Sequence, residues 1–97
     1  MARKQQFLSA EFSDQWQKSY KKLQHEQCKG VDKAVIALIK GEITPGLRVK
    51  PIEPSKYYDE ARANDGDRVI HRISDGTVYF VDIVPHDDIG RYAKAPK

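Results

Sequence analysis

The chain has 97 residues, 39% of them hydrophobic and 32% charged, and a net charge of +3. This composition supports one modest core in a single domain over residues 1–97 and excludes a disordered chain. No apolar run approaches the roughly 20 residues that span a bilayer. The start lacks the apolar segment of a secretory leader, and the lone Cys28 excludes an intrachain disulfide or a cysteine-based metal cluster; the expected setting is cytoplasmic, with no membrane partner.

In chain order, residues 5–12 mix apolar and polar side chains as a first strand does. Ser13 is placed to cap a helix, Asp14 suits its first turn, and Trp16, Tyr20 and Leu23 recur at i, i+4 and i+7 on one inward face. His25 reads as a surface residue near that helix's end, and Gly30 as a break. Val31, Ala34, Val35, Leu38 and Ile39 then line one side of a second helix, which Gly41 closes. Three prolines and a glycine within 44–56 predict a loop or extended connection.

Past the loop the period changes from helical to alternating. Residues 57–64, 67–73 and 77–84 read as three strands, joined by turns at Asn64-Asp65-Gly66 and Ser74-Asp75-Gly76. Residues 92–97 read as a frayed tail. The predicted order is β-α-α-β-β-β, a small α+β domain with two helices packed on one face of a mainly antiparallel sheet.

Charge is unevenly spread. Residues 1–50 carry ten Lys/Arg against five Asp/Glu, and residues 51–97 carry seven against nine. A basic first half suits either phosphate contacts or the solvated face of amphipathic helices. Alternation along 67–73 sets Val69, His71 and Ile73 toward the helices and Arg68, Ile70 and Arg72 on an open face. There Lys50, Lys56, Arg62, Arg72 and Arg91 form a candidate nucleic-acid surface, since guanidinium forks match phosphate oxygens. The competing reading pairs the arginines with Asp59, Glu60, Asp65 and Asp67 across strands. Tyr57, Tyr58 and Tyr79 read as packing groups.

At the end of the last strand stands His86, whose side chain type titrates near neutrality. Asp87 or Asp88 beside it is placed to orient the ring for acid–base work. Adjacent residues rarely converge on one ion, so no metal and no other cofactor is expected.

Tyr58, Glu60 and Arg62, followed by Arg68, His71 and Arg72, by the His86-Asp87-Asp88 turn and by a late tyrosine, Tyr92, resemble the strand motifs of the RelE/ParE toxin superfamily. The resemblance covers most of the chain and is sharpest over 57–92. It implies a type II toxin held inactive by a cognate antitoxin. RelE-like members cut mRNA at the ribosome without a metal, using the 2′-hydroxyl and leaving a cyclic phosphate. On that model Arg68 contacts the scissile phosphate, His86 moves a proton and Tyr92 orients or stacks on the substrate. The alternative is a non-nuclease binding module of the same fold, either a ParE-like inhibitor of DNA gyrase or an inactive protein-interaction domain. The chain departs from the nuclease pattern at Asp59 and Ala61, where RelE itself has lysines, and at the acidic Asp87-Asp88.

Overall fold

Asp75 and Gly76 both take positive φ (49° and 76°), the geometry of a two-residue hairpin turn whose twist matches its strands. Asn64 organises the other turn: its side-chain oxygen accepts the N–H groups of Gly66 (2.9 Å) and Asp67 (2.8 Å). The structure, a computed structural model, describes residues 7–96. Its elements run β1 (Ser9–Phe12), α1 (Asp14–Lys21), α2 (His25–Lys40), β2 (Lys50–Pro51), β3 (Asp59–Arg62), β4 (Asp67–Ser74) and β5 (Thr77–Pro85). Short 3₁₀ helices cover Pro45–Leu47 and His86–Tyr92.

The sheet order is β1-β5-β4-β3-β2, antiparallel except for the parallel pairing of β1 with β5. The expected α+β architecture is present with one strand more. Lys50 and Pro51, expected in a loop or extended connection, pair with Glu60 and Asp59 at the sheet edge, where a proline is tolerated because one side of the strand has no neighbour. Gln5 and Gln6, the start of the expected first strand, lie outside the described residues. No helix among the described residues is long and apolar enough to cross a membrane.

Ser13 caps α1 as its side chain chemistry dictates: its Oγ accepts the Trp16 N–H (3.0 Å) and donates to the Val81 carbonyl (2.6 Å). Helix α2 starts earlier than Val31. Its first turn is closed by Gln27, whose Oε1 accepts the Gln24 N–H (2.9 Å), so His25 begins this helix rather than ending α1. Gly30 lies inside α2 and does not break it. A Cβ at Gly30 would sit 2.6 Å from the Ala63 carbonyl oxygen, so the glycine lets the helix approach the β3–β4 turn. Gly30→Ala gains up to about 1 kcal/mol of helix propensity but forces this contact apart, for an expected net loss of about 1–3 kcal/mol. A urea midpoint unchanged or raised in the variant would show that the turn has room to move.

Both faces of the sheet are covered. On the helix side, Trp16, Val31, Ala34 and Leu38 bury against Ala61, Val69, Val78, Phe80 and Ile83. On the other side, Ile70 and Val84 are closed over by Ile52, Tyr58, Ile89 and Tyr92. The face expected to be open is therefore occupied at its centre. The 52–58 segment and the C-terminal 3₁₀ helix fold back because Ile70 and Val84 give them an apolar floor. Tyr92, expected in a frayed tail, is part of this cover, and the neighbouring Ala93 carbonyl accepts the Ser55 N–H (3.1 Å).

His71 shares the helix side with Val69, as alternation predicts, and is fully buried. Its Nδ1 lies 3.3 Å from the Val69 carbonyl oxygen, and Nε2 has no partner among the described residues. Burial lowers its pKa below the ordinary 6.5; the Val69 carbonyl and the carboxylate of Asp59, opposite it on β3, push the other way. Below about pH 6.5 the unfolded chain therefore takes up a proton that the folded chain refuses, and stability falls as pH falls. Urea midpoints should drop between pH 7.5 and 5.5, by at most about 1.4 kcal/mol per pH unit from this group. His71→Phe should flatten the profile; an equal slope in parent and variant would assign it elsewhere.

Candidate functional site

Strand β5 delivers the candidate residues to one end of the sheet. Arg68 stands opposite Val84, and one residue beyond Pro85 the His86 N–H donates to the Gly66 carbonyl (2.7 Å). That bond pins the start of the 3₁₀ helix to the β3–β4 turn, on the side where Arg68 projects. The His86 side chain itself is 61% exposed, and its Nδ1 lies 3.6 Å from a carboxylate oxygen of Asp87. This is close enough for charge attraction and longer than a hydrogen bond. Asp88 faces Arg91 instead, at 3.4 Å. Of the two acidic residues, Asp87 is the one beside the ring.

Arg68 is not the free cation that alternation predicts. Its side chain is only 14% exposed. One terminal nitrogen donates to the carbonyls of Asn64 (2.9 Å), Asp67 (3.1 Å) and Asp65 (3.4 Å), and Nε lies 3.8 Å from the buried Glu60 carboxylate. The guanidinium stitches the β3–β4 turn to the sheet while its edge still reaches the surface. Three of the other basic candidates, Lys56, Arg62 and Arg91, also lie near carboxylates. Arg62 is bonded to Asp65, and Lys56 lies 3.6 Å from Glu53. Lys50 is exposed on β2 across from Glu60.

Tyr92 lies on the same face as Arg68 but is turned inward. Its ring meets Tyr58 edge-on at 5.4 Å, and its hydroxyl donates to Asp82. Burial, then this bond, raises the phenol's pKa above its ordinary value. Asp82 was not singled out in the sequence. It is 1% exposed, and it also accepts the Ser19 hydroxyl and the Ile83 N–H (2.7 Å). One carboxylate thus ties α1, β5 and the C-terminal 3₁₀ helix together. The signal was available: a single charge inside the apolar run of residues 77–84 must find buried donors.

Among the described residues no hydrogen bond or ion pair joins Arg68, His86 and Tyr92. What the fold does is place Arg68 and Tyr92 on one face and His86 just past the end of β5, tied by its backbone to the β3–β4 turn. Val84, opposite Arg68, and Asp82, which holds Tyr92, are two residues apart on β5, about 7 Å.

No family model matches the chain, and no curated protein matches it in sequence. Solved structures do match it in fold. The chain is similar to the toxin–antitoxin complex DinJ-YafQ of E. coli, with 20% identity and a TM-score of 0.72 over 86% of this chain and 94% of that one. It is similar to the YoeB/ParE toxin of Agrobacterium tumefaciens at 9% identity and a TM-score of 0.69, over 81% and 99%. It is also similar to the RelBE2 toxin–antitoxin complex of Mycobacterium tuberculosis at 21% identity and a TM-score of 0.56, over 82% and 99%. At these identities the likeness is one of fold, and the fold is that of the RelE/ParE toxins.

Proposed function

We propose that this chain, which has the RelE/ParE toxin fold, is the toxin of a type II pair: a metal-independent endoribonuclease that cuts mRNA on the ribosome in the cytoplasm and is silenced by a cognate antitoxin. The observation that carries the reading is the exposed imidazole of His86, held by its own backbone over the end of the sheet where Arg68 surfaces. That the similar DinJ-YafQ and RelBE2 proteins are toxin–antitoxin complexes supports the partner.

The chemistry needs a proton carrier and a fixed cation. The 2′-oxygen bonds to phosphorus as its proton leaves, the bond from phosphorus to the 5′-oxygen breaks, and that oxygen takes a proton. The products are a 2′,3′-cyclic phosphate and a 5′-hydroxyl. His86 serves the proton transfers, with Asp87 beside its ring. The exposed edge of Arg68 meets the charge that builds on the phosphate oxygens. Tyr92, its hydrogen committed to Asp82, holds the turn in place.

A second reading has its own support. Arg68 is largely occupied by loop carbonyls and Glu60, which suits a domain that binds a protein without cutting RNA. Induced expression followed by mapping of message ends separates the two. The nuclease reading expects slowed growth and cuts within translated messages, ending in cyclic phosphates. Intact messages with stalled replication and a DNA-damage response would assign the chain to gyrase inhibition, and unaffected growth would leave only a protein-interaction role.

A further inference from the structure

The far end of the same sheet face carries a second cluster. Arg72 and Tyr79 stand opposite each other on β4 and β5. With Tyr57, Tyr58, Ser74 and Val81 they line a cleft of about 390 Å³, at the small end of ligand-sized cavities. The Arg72 guanidinium lies over the Tyr57 ring, 4.0 Å from its centroid, and gives the Tyr57 carbonyl one hydrogen bond of 3.1 Å. Arg62, Arg68 and Arg91 each face a carboxylate. Among the described residues no carboxylate pairs with Arg72. It is a cation set on an aromatic face with donors to spare. Tyr79 beside it is 38% exposed, a large ring that the fold has not covered.

We infer that this cleft is a subsite for single-stranded RNA, in which Tyr79 stacks on a base flanking the cut and Arg72 takes the phosphate of that nucleotide. The inference rests on the nuclease reading above and extends it by a few nucleotides. Arg68 and Arg72 are four positions apart on β4, about 13 Å, so a chain leaving the cut and passing over the side chains that cover Ile70 reaches the cleft after a short stretch of backbone.

Two features favour RNA over a peptide. The cleft lies on the face of β4 and β5, and β4 is paired on both sides, so an incoming peptide strand finds no open edge there to pair with. What is offered is ring surface and a planar cation, the pair of groups that single-stranded nucleic acids use without regard to backbone pairing.

The test is a titration of the full chain, followed by NMR, with an uncleavable 2′-O-methyl pentanucleotide and with the matching dinucleotide. The pentanucleotide should shift the ring signals of Tyr57 and Tyr79 and bind more tightly than the dinucleotide. Tyr79→Ala should weaken pentanucleotide binding about tenfold or more, Tyr79→Trp should restore it, and Arg72→Lys should lose part of it because the fork is gone. Mapped cuts should lose any base preference on the flanking side in Tyr79→Ala. Shifts confined to the Arg68–His86 end, or a Tyr79→Ala chain that binds as the parent does, would overturn the subsite and leave the nuclease reading standing. If neither oligonucleotide shifts any signal and the parent cuts no message, the subsite and the nuclease reading fall together.

Discussion

His86→Ala is expected to lower RNA cleavage by about 10²- to 10⁴-fold, the range that a positioned proton carrier contributes, and to abolish growth inhibition. Thermal unfolding should not move. The reason is local: the bond that pins this residue is made by its backbone N–H to Gly66, while the imidazole is 61% exposed and lies beside the solvent-facing Asp87. Removing the ring leaves no cavity and no orphaned donor. Single-turnover cleavage on translating ribosomes, with a melting curve of the same preparation, checks both halves. Cleavage within a factor of two of the parent would sink the assignment. Arg68→Ala is a different experiment, because it also strips a partner from the buried Glu60 and from three turn carbonyls. It should lose stability and activity together, and only its activity loss measured at a temperature where it is folded bears on catalysis. There the double variant should be little worse than His86→Ala alone, as for groups that serve one transition state.

The largest effect on stability is expected at Asp82. Asp82→Ala removes the acceptor shared by Ser19, Tyr92 and the Ile83 N–H. These donors lose bonds to a charged acceptor, and the buried amide has no replacement. A loss of about 2–4 kcal/mol follows, which for a domain of this size lowers the melting temperature by roughly 10–25 °C. Asp82→Asn should lose much less, since one oxygen remains for Ser19 and Ile83 and the phenol can turn to accept from the amide. A cycle pairing Asp82→Asn with Tyr92→Phe should show coupling, because both changes act on one bond. An Asp82→Ala chain that melts with the parent would mean water takes over all three partners.

How much of this was legible from residues alone varied with the range of the interaction. The two turns, the cap at Ser13, the helix stripe of Trp16, Tyr20 and Leu23, and the split of Val69 and His71 from Arg68 and Arg72 were legible because each depends on neighbours in sequence. The start of α2 was missed because a glutamine pair closes it rather than Ser, Thr or Asp. Gly30 looked like a stop because its reason, the Ala63 carbonyl, comes from far along the chain. The covered second face was missed for a similar reason. Ile70 alternated correctly onto it, yet nothing local says that Ile52 and Tyr92 return to bury it. A register shift between Ile70 and His71, with Val81 as the extra residue, also brings Asp82 level with Ile70. The candidate site suffered most. His86 was placed by its strand, but the capture of Arg68 by turn carbonyls and of Tyr92 by Asp82 depends on contacts that no spacing rule encodes.

The parallel pairing of β1 with β5 has a consequence for how the protein is made. Ser13, at the end of β1, bonds Val81, which lies 68 positions further on. A ribosome adding about 5–20 residues each second releases the first strand several seconds before its partner exists. During that wait Phe12 and Trp16 have no Phe80 to stack on, and the helices have no central strand beneath them. The residue that completes the sheet is followed within six positions by His86. Closing of the core and appearance of the His86 turn therefore coincide, so that a copy cut short before β5 has neither a closed core nor the turn that carries the imidazole.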